Sequence, residues 1–362
     1  MSRARARLVG FAVAVFVCAG VAADRGQAPS TFAGQIAALS ERDGYFDTDN
    51  LISNESSYQQ VLPELRKRHV QGGAYVGVGP DQNFTYIAET RPEIAFIIDV
   101  RRDNLLLQLL FKALFDLSRT RVDYLAQLLG RPVPADPAPW RNATVDRLIA
   151  YVEAPAAQPE AIAALRARVD SAIKRSGVSL STKDFQTIDQ FHRRFIEEGV
   201  SLRFQSTGRP PRSYYPTYRQ LLADTDGSGK QANFLASEDA FQFVKGLQAR
   251  DLIIPVVGDV SGPTAMSGIG GMLTKRGTRL STFYISNVEF YLFGDGAFAR
   301  YVANLGRLPH ASNGVVIRSV FGGFAPGLRS GDASVSQVQA IDDLLAGVAS
   351  KKIQYYADLV DR

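Results

Sequence analysis

Two short apolar runs, Ala74-Tyr75-Val76-Gly77-Val78 and Ile94-Ala95-Phe96-Ile97-Ile98, lie about one helix length apart, with Gly79-Pro80-Asp81-Gln82 opening the stretch between them. Neither run alternates apolar with polar residues, so each reads as a strand buried on both faces. Strands of that kind belong to parallel sheets covered by helices. The pair also carries a chemical pattern. A strand ending in Gly-x-Gly, then a helix, then a strand ending in an acid is how α/β folds hold an adenosine-type ligand. Gly77 and Gly79 let the backbone come close, and Asp99, 20 residues past Gly79, is spaced to accept hydrogen bonds from ribose hydroxyls.

The same rhythm returns near the C-terminus. Helix Glu238–Ala249, strand Leu252–Val257, helix Thr264–Lys275, strand Thr282–Ser286, helix Phe290–Leu305, strand Gly314–Val320 and a last helix Val335–Ala349 follow in order. Such alternation predicts a doubly wound, mainly parallel sheet, because each right-handed crossover lays a helix across it. From 119 to 236 no buried-type strand appears, so this stretch reads as a helical insertion between two halves, 70–118 and 237–362. Residues 24–69 read as a helical extension. In it Ser30-Thr31 caps a helix Phe32–Leu39, and the cap-rich segment Phe46–Glu55 precedes a helix Tyr58–His69 and is placed to fold over the glycine loop.

Residues 1–23 show three arginines, an apolar run from Leu8 to Val17, and Val21-Ala22-Ala23 before Asp24, the zones of a secretory signal peptide. Export to the periplasm of a bacterial cell is the expectation, with cleavage near Ala23. Removing Arg3, Arg5 and Arg7 takes the formal charge from +5 to +2, which argues against nucleic-acid or anionic-membrane partners. Cys18 is the only cysteine, so the chain after cleavage holds no disulfide and no thiolate nucleophile. His69, His192 and His310 have no metal-ligand spacing, and no metal is expected. With no further long apolar run, the mature form is expected to be free of the membrane and to take a small-molecule ligand.

Gly77-Val78-Gly79 after the first strand, Asp99 ending the second, Gly258-Asp259 ending the third and Ser286-Asn287-Val288-Glu289 ending the fourth resemble the ligand-facing turns of class I S-adenosylmethionine-dependent methyltransferases, over residues 70–118 and 238–321. The combination resembles, more closely, uncharacterised exported bacterial proteins with that Rossmann-like fold. The resemblance implies S-adenosylmethionine as cofactor. Gly77 and Gly79 would then lie under the methionine and ribose, Asp99 would take the ribose hydroxyls, Asp259 would face the adenine amino group, and Asn287 would stand near the transferred methyl. The chain departs from the pattern in the third glycine, whose place Pro80-Asp81-Gln82 takes, in the large insertion between the second and third strands, and in two further places. Tyr75 or Val76 stands where an acid is usual, a role Asp81 is placed to fill, and Val288-Glu289 replace the prolines and aromatic of amino-methylating members, which disfavours nucleic-acid bases as substrates.

Plainer readings stand beside these. The glycines serve a tight turn, Asp99 pairs with Arg101 or Arg102, Asp81 caps the following helix, and Asp259 with Ser261 forms a helix cap. Ser261-Gly262 and Ser267-Gly268 fail the Gly-x-Ser-x-Gly hydrolase pattern, no P-loop is present, and Asp226–Lys230 reads as a flexible turn. Tyr75, Asp81, Glu289, Tyr291 and His310 are all within range of the site in sequence terms, and no spacing selects a catalytic base among them. Two function classes follow: a methyltransferase-like enzyme acting on a small molecule or a protein side chain, and an exported ligand-binding or structural protein keeping the fold without transfer.

Overall fold

A computed structural model describes residues 31–156, 158–206, 212, 214–325, 327–328 and 332–360. The signal peptide expected over 1–23 lies outside the described residues. The protein is a mixed α/β chain around one six-stranded sheet, in the order β3-β2-β1-β4-β5-β6. The strands are β1 (Ala74–Val78), β2 (Ile94–Asp99), β3 (Ile253–Val257), β4 (Leu280–Ser286), β5 (His310–Phe321) and β6 (Ser334–Ala340). All neighbours run parallel except β5 and β6.

Position in the sheet explains the strand composition. β1 and β2 are central, and every residue from Ala74 to Val78 and from Ile94 to Ile98 is buried. β3 is an edge, pairing only with β2, and so tolerates Pro255, whose missing N–H weakens no second ladder. Helix Arg102–Leu117 lies against β2 and β3 and buries leucines and phenylalanines on most of its surface. Helices Pro159–Arg175 and Thr182–Glu198 pack on its other side. Between Leu117 and β3 the described residues form helices and loops, joined only by the isolated bridges Thr48↔Ser206 and Arg203↔Thr217.

Two segments differ from the sequence reading. The helix expected over Val335–Ala349 is instead β6 followed by helix Ile341–Ala349. Val335 and Val338 fit a helical spacing, but the free edge of β5 takes 334–340 as an antiparallel partner, and backbone pairing overrides the weak local signal. The single helix expected over Phe290–Leu305 is two, Val288–Gly294 and Phe298–Arg307, broken where Gly296 adopts φ 66. The Asp226 loop is also firmer than a flexible turn: the Asp226 carboxylate accepts from the Ser228 and Lys230 amides and from Arg66.

His192 gives the fold an acid-sensitive point. Its Nε2 lies 3.0 Å from the Gln127 carbonyl, so the buried ring is neutral and donates there. Burial pulls its pKa down to about 4 from 6.5. The unfolded chain therefore takes up the proton first: the stability is complete above pH 6.5 and is lost as pH falls toward 4. We expect that loss to be about 2–3 kcal/mol, and to vanish in His192→Gln, as read from urea denaturation across pH 4–7. Among the described residues no helix is long and apolar enough to cross a membrane.

Candidate functional site

The strand order reverses between β1 and β4, where their following segments leave in opposite directions and open a crevice at the carboxyl ends of the strands. A cleft of about 360 Å³ occupies that position, and Gly79, Asp99, Asp259 and Asn287 all line it. Its wall holds four aspartates, Asp47, Asp99, Asp259 and Asp295, against two arginines, Arg101 and Arg300. An acidic lining of this kind favours neutral or cationic ligands and opposes phosphate-bearing ones.

The turn after β1 is shaped by a residue that the sequence reading passed over. Asn83, fully buried, donates through Nδ2 to the carbonyls of Val78, Gly79 and Pro80 and accepts at Oδ1 from Tyr75 Oη at 2.7 Å. This clamp holds Gly79 at φ 83, where a side chain would be strained. Gly77 sits one step deeper, inside β1 and outside the cleft lining. A Cβ on Gly77 would come within 2.0 Å of Asn83 Oδ1, so its missing side chain makes room for the clamp rather than for a ligand.

Asp81 also lies off the cleft. It accepts from Tyr218 Oη at 2.8 Å beside a void of about 10 Å³ lined by Ser53, Tyr58 and Gln82. Its side chain does not cap the helix Gln82–Thr90. Burial pushes its pKa up to about 6 from 3.8. The folded state therefore disfavours the charged carboxylate, and stability falls as pH rises from 3.8 through 6. Asp81→Asn keeps the acceptor for Tyr218 and is expected to raise stability at pH 7.5 by about 2–3 kcal/mol in thermal or urea unfolding.

Asp99 and Asp259 are both partnered. Asp99 Oδ1 accepts from the Arg101 amide (2.9 Å) and Nε (3.1 Å), and Oδ2 accepts from Nη2 (2.8 Å). Of the roughly four acceptor directions of a carboxylate, one is left for a ligand. Asp259 accepts from the Ser261 amide at 2.7 Å and from its hydroxyl, closing an Asx turn. The first-turn amides of helix Ala265–Arg276 are taken by Glu41, whose carboxylate accepts from Thr264 and Ala265.

Glu41 belongs to a strap, residues 40–54, that crosses the strand ends. Glu41 N donates to Val257 O and Gly44 N to Val100 O, while Arg101 Nη1 reaches the Thr48 carbonyl at 2.9 Å. Arg194 binds Asp49 from the far side, and Phe46 meets Tyr291 edge to face at 5.0 Å at the cleft wall. Beyond the strap the chain drops into the core and brings Glu55, fully buried, beneath β4. Glu55 accepts from Tyr284 Oη at 2.7 Å and from the hydroxyls of Ser286 and Ser319. Burial raises its carboxyl pKa above the ordinary value of 4.5.

The other titratable candidates are placed elsewhere. Tyr75 is locked in the Asn83 clamp, and Glu289 is buried against Arg318, with Nε at 2.6 Å from its Oε2. His310 begins β5, at the opposite end of the sheet from the cleft, and bonds Asp342. Only Tyr291 of that group lines the cleft. Among the described residues no group of three or more His, Cys, Asp or Glu side chains is placed to hold a metal.

Residues 50–131 and 165–360 match the family model of a domain of unknown function, DUF7790. The chain belongs to this family. The DUF7790 match takes in all six strands, Glu55 and the four strand-end turns, and leaves out 132–164 and the strap before Asn50. No curated protein matches the chain.

Proposed function

We propose that the cleft binds an S-adenosylmethionine-type ligand within a methyltransferase-like, doubly wound fold, and that the protein is a methyltransferase acting on a small molecule or a protein side chain. The observation that carries this reading is the convergence of Gly79, Asp99, Asp259 and Asn287, four separate strand-end turns, on one cleft where the strand order reverses. Two features of the site fit that ligand. The acidic wall suits a sulfonium and an ammonium, and Gln82, which lines the cleft and the neighbouring void, has a buried Oε1 with no partner. Tyr284 gives its hydroxyl hydrogen to Glu55 and accepts from Gln82 Nε2 at 3.1 Å, which fixes the amide and leaves Oε1 to a donor.

The bound group would supply an electrophilic methyl; the chain supplies position and dryness. Asp99, held rigid by Arg101, orients one ribose hydroxyl through its remaining acceptor direction. Gly79 lets backbone approach, and the Phe46–Tyr291 contact with the strap limits water. Calorimetric titration with S-adenosylmethionine and S-adenosylhomocysteine tests the reading. A micromolar Kd, about −8 kcal/mol, supports it. No heat and no thermal stabilisation at millimolar ligand removes it.

One observation favours a second reading, an exported binding protein without transfer. Arg101 already fills three of the acceptor directions of Asp99, where two free ones would grip both ribose hydroxyls. Such a protein, exported through 1–23, would bind the ligand without consuming it. S-adenosylmethionine that stays intact beside candidate small-molecule and protein acceptors, while binding persists, selects this reading over the enzyme.

A further inference from the structure

The geometry points to a different chemistry in the same cleft: Ser286 is a nucleophile, with Glu55 as its proton acceptor and Asn287 as the donor to a developing oxyanion, set to cleave an uncharged carboxylic ester. This goes beyond the adenosyl-ligand reading and does not rest on it.

Ser286 ends β4 and is followed at once by helix Val288–Gly294. Its φ of 56 lies in the left-handed region that serine rarely adopts, so the strand-to-helix turn is a strained one that puts Ser286 in the cleft wall. Nucleophilic serines need a turn of this kind and an adjacent base. The base is Glu55, which accepts the Ser286 hydroxyl at Oε1. It is held in place by Tyr284 and Ser319 at Oε2, and its own amide donates to Ser53 Oγ at 3.0 Å. The titratable groups facing it are Tyr284 from β4, Tyr75 from β1 and Tyr86 from helix Gln82–Thr90, and burial pushes all three phenols up, so they stay neutral. No cation pairs with Glu55 among the described residues, and a desolvated carboxylate is a stronger base than an exposed one. Asn287 Oδ1 lies 3.4 Å from Ser286 Oγ, and its Nδ2 has no protein partner among the described residues, which leaves one amide donor for an oxyanion.

In the step, the Ser286 Oγ–H proton passes to Glu55 Oε1 as Oγ bonds the ester carbonyl carbon. The carbon–oxygen bond to the alcohol then breaks, and Glu55 returns the proton to the departing alkoxide. Water repeats the sequence, releasing the carboxylic acid and restoring Ser286. The excess of four aspartates over two arginines in the wall disfavours an anionic ester. A Gly-x-Ser-x-Gly search misses this serine because Tyr284 and Val288 stand where the two glycines would be, and its base stands 231 positions earlier in the chain.

Diisopropyl fluorophosphate tests the first half of that step on the full chain: Oγ–P forms, P–F breaks, fluoride leaves and Glu55 takes the proton. Mass spectrometry is expected to find one adduct on the peptide carrying Ser286, absent in Ser286→Ala. Labelling should be about 100-fold slower in the near-isosteric Glu55→Gln and should quicken with pH as Glu55 deprotonates. No adduct on the wild type, or an adduct on Ser206 or Ser261 instead, overturns the proposal, as does a Glu55→Gln chain labelled at the wild-type rate. S-adenosylhomocysteine in the same assay separates the two readings. Protection of Ser286 supports both, whereas full labelling at millimolar ligand counts against the adenosyl reading alone.

Discussion

Arg318→Met is expected to lower the unfolding free energy by about 3–5 kcal/mol, because it strands Glu289 as an unpaired charge in the core. Both side chains are almost wholly buried, at 2% and 1% exposure, and the guanidinium also reaches Gln339 on β6 at 2.8 Å. The pair ties the turn after β4 to β5 and β6, directly behind Asn287. The cost comes from leaving one partner behind rather than from the strength of the bond. The double variant Glu289→Met with Arg318→Met should therefore recover most of the loss in urea denaturation. A single variant within about 1 kcal/mol of wild type would show that water or rearrangement satisfies Glu289, and that the pair does not brace the turn.

Gly77→Ala is expected to cost about 3 kcal/mol or more. The added methyl would overlap Asn83 Oδ1 at 2.0 Å and Tyr75 Oη at 2.6 Å, in a fully buried cluster with no room to give. Relief would require breaking the Tyr75–Asn83 hydrogen bond or lifting the Asn83 amide from the three carbonyls it holds. Thermal unfolding of the variant reads the loss. Full stability combined with lost ligand affinity would instead assign Gly77 to the ligand, as the family resemblance implies.

These two residues mark how far the sequence could be read. The apolar, non-alternating character of β1 and β2 and the return of the same rhythm from Glu238 onward were enough to foresee five of the six strands and their order along the chain, and Ser30-Thr31 announced the cap at Thr31, which accepts from the Gly34 amide. Those signals are local. Gly77 was legible as a glycine that must be one, but not as room for Asn83, because the contact depends on how the helix Gln82–Thr90 folds back onto β1. Glu289 read as one of several candidate bases beside the site, since nothing near it announces Arg318, 29 residues on. β6 was hidden because its residues fit a helix until β5 offers an edge. Glu55 was least visible of all: it lies in a stretch rich in capping residues, and only the path of the strap places it under Ser286. Asp99 carried both of its meanings in sequence, and the structure supplies the Arg101 pairing without removing the cleft from its reach.

A crystal structure of the chain grown with saturating S-adenosylhomocysteine tests the central claim most directly. The adenosyl group is expected in the cleft, with a ribose hydroxyl within hydrogen-bond distance of Asp99 Oδ2 and a donor on Gln82 Oε1. An empty cleft, or the ligand bound away from Gly79, Asp99, Asp259 and Asn287, would contradict it.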